Sequence, residues 1–113
     1  MKLDDLQVRV DNWINDFGVR YFDEKTNALL LVEEVGELAR LIARKYGEQS
    51  FKNKTDEENV EILIGDEMAD IIFVLSCLAN QMNVNLTEVV EQNFKKKTSR
   101  DNLRHKSNKK LKY

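Results

Sequence analysis

The sequence has few of the residues that interrupt helices or cross-link chains. Its 113 residues contain no proline, four glycines and a single cysteine, Cys77. Because proline removes a backbone donor and clashes with the preceding turn, its absence favours long, unbroken helices. One cysteine excludes an internal disulfide and suits a reducing compartment, so we expect a cytoplasmic protein. Cys77 lies in the apolar run IIFVLSCLAN, and we interpret it as a small buried side chain, not as a nucleophile.

Long apolar runs are also missing. No stretch is long enough to span a bilayer, and the N-terminus has no signal-peptide pattern, so we expect no membrane partner. A chain of 113 residues makes one domain. Its core is small for its surface, so we expect a partner subunit to help stabilise it.

Charge is distributed unevenly along the chain. The formal net charge of the chain is -2, but residues 1–94 have a net charge of -10, from nine Lys and Arg and nineteen Asp and Glu. Residues 95–113 hold nine Lys and Arg and one acid, a balance of +8. A nucleic acid requires a positively charged binding face, and the body of this chain is acidic. We therefore expect no nucleic-acid polymer as partner.

Apolar residues that recur at intervals of three and four, without strand-like alternation, predict an all-α fold. Gly18 and Gly47 mark the ends of the first two predicted helices, and Thr26 suits the N-cap of the second. Asn85 and Glu88 fit a capping box at the start of the last helix. The predicted helices cover residues 3–17, 26–46, 59–82 and 86–99, with a polar loop over 48–58.

This pattern indicates a bundle of four to five helices, completed by oligomerisation. The helical domain is expected to span residues 1–99. Residues 100–113 are basic and nearly free of apolar side chains, which predicts a flexible C-terminal tail.

Two of the predicted helices carry a pair of acids inside an apolar stripe. Residues at i, i+4, i+7 and i+11 share one face of a helix, and each stripe reads apolar, acid, acid, apolar. A lone acidic pair is usually a solvated face, but its recurrence within two apolar stripes is difficult to explain as solvated surface. The stripes are Leu30, Glu34, Glu37 and Leu41 on the second helix and Leu63, Glu67, Asp70 and Val74 on the third.

A hairpin of these helices would bring four carboxylates together. Like charges at that distance require a counter-charge, and hard divalent cations prefer oxygen ligands. Mg²⁺ fits best, with Mn²⁺ as a substitute. Zn²⁺ is disfavoured because no histidine or cysteine lies near either stripe.

At these positions the sequence resembles the MazG-like nucleotide pyrophosphohydrolases, within the wider all-α NTP pyrophosphatase superfamily. The shared motif is EExxE followed downstream by ExxD, which here reads Glu33-Glu34-Val35-Gly36-Glu37 and Glu67-Met68-Ala69-Asp70. The resemblance covers about residues 3–104, with a longer spacer at SFKNKTDEEN.

The resemblance implies hydrolysis of a nucleoside triphosphate between the α- and β-phosphates, which suits clearing or trimming of nucleotide pools. It also implies Mg²⁺ and a homodimer or homotetramer. Glu34, Glu37, Glu67 and Asp70 occupy its metal-ligand positions.

The remaining site residues are predicted from side-chain chemistry and, for Lys96 and Arg100, from the resemblance. Glu33 is the candidate general base, or a support for the metal ligands, because the only histidine, His105, lies in the basic segment. Lys96 and Arg100 resemble basic residues near the end of the family's last helix. The remaining substrate-binding candidates are Lys52 and Lys54 for phosphate and Trp13 and Phe22 for the base.

Two alternatives stay open. Phosphoribosyl-ATP pyrophosphohydrolases and dimeric dUTPases belong to the same superfamily and use acidic helical metal sites, although the single EExxE…ExxD set favours the MazG-like branch. The second alternative is not an enzyme but a helical oligomerisation module. Its acids would bind a structural metal or pair with the basic segment.

Overall fold

The computed structural model describes residues 1–112, and within them every regular element is helical. A π-helical turn, Ile14–Gly18, extends the first helix, and a 3₁₀ turn, Lys109–Leu111, follows the last. The prediction of an all-α fold is confirmed for this part of the chain. No helix in this part of the chain is long and apolar enough to cross a membrane. The five α-helices are α1 (Leu3–Trp13), α2 (Glu24–Tyr46), α3 (Lys54–Glu58), α4 (Val60–Gln81) and α5 (Leu86–Lys106).

Helix α2 begins earlier than its predicted N-cap, Thr26. The cap is Asp23, whose Oδ1 accepts a hydrogen bond of 2.7 Å from the backbone N–H of Thr26. Thr26 is therefore the third residue of the helix, and the predicted cap was wrong. An N-cap carboxylate both accepts from an unpaired N–H and interacts favourably with the helix dipole, which explains why Asp23 takes this position.

The predicted loop over 48–58 contains the short helix α3. Asn53 caps it, since its Oδ1 accepts from the backbone N–H of Asp56 at 2.8 Å. The loop prediction was therefore wrong for residues 54–58. A helix of five residues is too short to give a periodic apolar signal.

The predicted end of the last helix, near Ser99, was also wrong, because α5 continues to Lys106. Asp101 accepts from Arg100 at 2.9 Å and lies 3.5 Å from Arg104 one turn on. The Asp101–Arg104 pair, which is spaced i, i+3, and the cations of the last turn stabilise a helix that buries little apolar surface. A domain boundary at residue 99 and a flexible segment over 100–113 stay predictions.

Helices α2 and α4 form the largest helix–helix contact, and they run antiparallel. Lys45 contacts Glu61 near the α3 end, and Asn27 donates to Gln81 at the opposite end. The residues between these two contacts on each helix face one another. This register is what brings the two acidic stripes together.

Helix α1 packs across the second half of α4. Val10, Ile14 and Cys77 form the buried cluster there. Beside it, the Gln7 side chain donates to the Val84 carbonyl at 2.8 Å and accepts from the Leu86 N–H at 2.9 Å. These bonds fix α1 to the turn between α4 and α5. Helix α5 packs chiefly against α1.

Candidate metal centre

Three carboxylates converge between α2 and α4. Glu34 comes from α2, and Glu67 and Asp70 come from α4, one turn apart. One ligand atom from each lies within 4.8 Å of the other two. Because the helices are antiparallel, the middle of one acidic stripe meets the middle of the other. The spacing is close enough for one cation to contact all three side chains.

Proximity and burial together disfavour ionisation of this cluster. The pKa of Glu67 is raised to about 7, first because its carboxyl is within hydrogen-bonding distance of Glu34. Burial and the charges of Glu34, Asp70 and Glu37 raise it further. Burial, followed by the charges of Glu34 and Asp66, raises the pKa of Asp70 above its ordinary value. The site therefore favours a bound proton or a bound cation.

One oxygen of the cluster is buried without a donor. Within residues 1–112, Oε2 of Glu67 is shielded from solvent and has no hydrogen-bond partner. Its neighbour Glu34 is an acceptor while ionised, so it does not satisfy this atom. A buried charged oxygen without a partner is unfavourable, and a cation would satisfy it. The donor set is oxygen only, which fits Mg²⁺ or Mn²⁺.

The fourth predicted ligand, Glu37, lies outside this group of three. It is about half exposed, and its Oε1 lies 3.6 Å from Nη1 of Arg40. With Glu33, Glu34 and Gly36 it lines an open cleft of about 440 Å³ along α2. Its role as a ligand stays a prediction, as does the role of Glu33, whose exposed side chain lies in the same cleft.

Asp66 is an acid that the stripes did not include. It lies four residues before Asp70, and its charge raises the pKa of Asp70. The i, i+4 spacing of two acids on α4 was the available signal. The stripe through Glu67 and Asp70 passes beside Asp66 and not through it.

The predicted phosphate-binding cations make no ion pair with the cluster in the described chain. Lys96 and Arg100 are exposed on α5, where Arg100 donates to Asp101 through Nε at 3.0 Å and Nη2 at 2.9 Å. Lys52 precedes α3, and Lys54 lies in α3 with its Nζ 4.0 Å from Glu58. Their roles stay predictions.

Of the two aromatic candidates, Trp13 packs against α4 in the turn that follows Asp70. Its ring packs edge-on against Phe73, with centroids 5.5 Å apart, and Phe73 follows Asp70 by one turn of α4. Trp13 keeps 48% of its surface exposed. Phe22 is also largely exposed, and its backbone carbonyl accepts from Gln81 at 2.6 Å.

The fold and the acidic helix pair agree with a family of hydrolases. Residues 22–105 match the MazG nucleotide pyrophosphohydrolase domain, and the chain belongs to this family. The matched region contains both acidic motifs and α2 to α5 almost entirely. The resemblance stated from the sequence is thereby confirmed, as is the enzyme class.

Two similar proteins are from Bacillus. The protein YpjD of Bacillus subtilis (strain 168) is 37% identical over 97 residues, which cover 86% of this chain and 84% of YpjD. The crystal structure of YpjD gives a TM-score of 0.74 at 35% identity, over 89% of this chain and 97% of that one. The Bacillus-conserved MazG protein, described as a nucleotide pyrophosphohydrolase, gives 0.72 at 32% identity, over 89% and 94%.

Proposed function

We propose that this chain hydrolyses a nucleoside triphosphate between its α- and β-phosphates and depends on Mg²⁺. The products are a nucleoside monophosphate and pyrophosphate. The observation that carries this proposal is the convergence of Glu34, Glu67 and Asp70 around a buried oxygen that lacks a donor. A triphosphate is strongly anionic, and an acidic cleft would repel it unless bound cations invert the local field.

The proposed site residues comprise ligands of the metal ion and a general base for the attacking water. Glu34, Glu67 and Asp70 would hold the cation, and Glu37, three residues after Glu34 on α2, is the proposed fourth ligand. A cation held there would supply polarisation of the α-phosphoryl oxygen and would lower the pKa of a bound water. Glu33, exposed in the cleft beside Glu34, accepts the proton of the attacking water.

The base and the phosphates need separate contacts. Trp13 is half exposed and packs against Phe73, which follows Asp70 by one turn of α4, so it is the proposed stacking surface for the base, with Phe22 as a second candidate. Lys96, Arg100, Lys52 and Lys54 are the proposed phosphate contacts. Because α5 packs chiefly on α1, and Lys52 and Lys54 lie beyond the end of α2 in the connection that contains α3, assembly of several chains is the proposed route by which these cations reach an acidic centre.

We further propose a homodimer or homotetramer. The radius of gyration is 17.9 Å, whereas a compact domain of this length has about 13 Å. Burial of exposed apolar side chains is the expected driving force for association. Five such residues on α2, α4 and α5 are each more than 60% exposed: Leu29, Val32, Ile62, Phe94 and Leu103. Light scattering should give two or four times the 13.2 kDa of one chain.

The decisive experiment measures pyrophosphate release from a panel of ribo- and deoxyribonucleoside triphosphates that includes dUTP, and from phosphoribosyl-ATP. With Mg²⁺, the wild-type chain should release pyrophosphate from at least one of them. Glu67→Gln should reduce the rate at least about 100-fold, because it removes a ligand of the cation. The matched control Glu91→Gln changes an exposed acid on α5 and should leave the rate unchanged.

The alternative functions predict different results. Release only from dUTP or phosphoribosyl-ATP would assign the chain to another branch of the superfamily. Stabilisation by Mg²⁺ without turnover of any substrate would contradict the enzymatic proposal and support a structural metal in an oligomerisation module.

A further inference from the structure

A second polar pocket lies at the opposite end of the α2–α4 pair from Asn27 and Gln81, where the connection containing α3 joins the two helices. Its volume is about 530 Å³. Its lining differs from that of the metal centre because it includes two cations and one hydroxyl. The residues that matter here are Arg44, Lys45, Ser50, Phe51 and Glu57.

Arg44 has unsatisfied hydrogen-bonding capacity in this pocket. Its Nε is shielded from solvent without a hydrogen-bond partner, and the side chain forms no ion pair within residues 1–112. A buried donor without a protein acceptor is unfavourable, and an acceptor that reached it would lower that cost. The guanidinium presents planar donors that match the oxygens of phosphate in pairs.

The neighbouring charges do not satisfy Arg44. Lys45 donates to Glu61 at 2.9 Å, and the Glu61 side chain is almost fully exposed. Glu57 lines the same pocket, but its carboxylate is not within 4.0 Å of the Arg44 guanidinium. Glu57 therefore contributes a negative charge to the pocket and is not the ion-pair partner of Arg44.

We propose that this pocket binds a phosphate-type oxyanion, with Arg44 as the anchor and Lys45 and the Ser50 hydroxyl as further donors. Arg44 follows Glu34 by ten residues on α2, which is about 15 Å along the helix axis. This separation exceeds the length of a triphosphate chain, so free pyrophosphate or inorganic phosphate fits the pocket better than a substrate that also reaches Glu34.

Binding without metal tests the proposal independently of catalysis. Inorganic phosphate and pyrophosphate are titrated calorimetrically into the full chain in EDTA, so that the acidic centre does not contribute. Wild type should bind pyrophosphate saturably. Arg44→Gln should weaken binding at least about tenfold, since it removes charged hydrogen bonds, whereas Glu57→Gln should strengthen binding. The matched control Arg9→Gln changes an exposed arginine on α1 and should bind as wild type does.

A second variant protects the test against misfolding. Ser50→Ala alters an exposed residue of the connection and should weaken binding severalfold without changing the melting temperature. Absence of saturable binding by wild type at millimolar concentrations would overturn the proposal. Unchanged affinity in folded Arg44→Gln, or in Ser50→Ala and Glu57→Gln together, would overturn it as well.

Steady-state kinetics with Mg²⁺ then distinguish free phosphate or pyrophosphate from the phosphates of a bound substrate. This experiment rests on the proposed hydrolysis. If the pocket takes free anions, Arg44→Gln keeps the KM for nucleotide and loses sensitivity to added pyrophosphate or phosphate. If it takes substrate phosphates, the KM rises. A chain without hydrolytic activity would contradict the proposed function alone, because the metal-free titration would still decide whether the pocket binds anions.

Discussion

The carboxylates of Glu34 on α2 and Glu67 on α4 face each other across the helix pair, and with Asp70 they place their ligand atoms within 4.8 Å. Neither side chain can donate to the other while both are ionised. The pair is therefore stable with a shared proton or with a cation between them. This relationship links the stability of the chain to pH and to metal, and both links can be measured.

Stability of the metal-free chain should fall as pH rises. The pKa of Glu67 is about 7 in the folded chain, above its ordinary value of 4.5. Between these values the folded state binds more protons than the unfolded state, so the free energy of unfolding decreases with pH. The stabilisation is complete below about pH 4.5 and is lost as pH passes 7. Urea denaturation in EDTA between pH 5 and 8 measures it.

The Glu67→Gln variant provides the check on this pH dependence. Its stability should change less over the same range, because the neutral amide does not titrate. If the variant and wild type show the same decrease with pH, another group is responsible, and the coupling of Glu34 to Glu67 is not the cause.

Mg²⁺ should raise the melting temperature of the wild-type chain. The cation binds the folded state and stabilises it by mass action. Because it displaces a proton, the increase should be larger at pH 8 than at pH 6. Differential scanning fluorimetry measures the shift. Glu34→Gln should lose most of it and the exposed Glu91→Gln should retain it, so equal shifts in both variants would argue against the site.

Gln7 should be important for stability although it lies outside the metal centre. Its side chain donates to Asn80 and the Val84 carbonyl and accepts from the Leu86 N–H. Gln7→Ala leaves partly buried partners unpaired, so the free energy of unfolding should fall by about 1–3 kcal/mol. Chemical denaturation of this variant is compared with Gln92→Ala, an exposed glutamine on α5. An effect of equal size in both would contradict the role of this network.

Cys77 should be unreactive in the native chain. It is 3% exposed, and burial raises the pKa of its thiol to about 11. Thiolate is the reactive form, so labelling by a disulfide reagent at pH 8 should be slow and should become rapid in denaturant. Rapid stoichiometric labelling under native conditions would show that α1 does not cover α4 as described.

The sequence predicted the helix pair and its converging acids because both depend on periodicity. Glu34, Glu67 and Asp70 lie on apolar stripes, and an antiparallel hairpin can orient such stripes in few ways. The family motif pointed to the same residues. Glu37 lies on the same stripe but turns toward Arg40, a choice between side-chain conformations that spacing does not determine.

Helix ends and the second pocket were less predictable. Asp23 and Thr26 are both good caps, and the choice depends on the path of the chain before α2. The continuation of α5 beyond Ser99 is accompanied by the i, i+3 ion pair of Asp101 with Arg104, which apolar periodicity does not signal. The unpaired Nε of Arg44 depends on how the connection containing α3 folds over it, and a polar, aperiodic segment gives no signal for that.

The most direct test of the central claim is hydrolysis in ¹⁸O-labelled water with Mg²⁺ and the nucleotide that the panel identifies. The account predicts that the label enters the nucleoside monophosphate, because water attacks the α-phosphorus, and that Glu67→Gln forms almost no labelled product. Label in the pyrophosphate, or equal rates for wild type and Glu67→Gln, would contradict it.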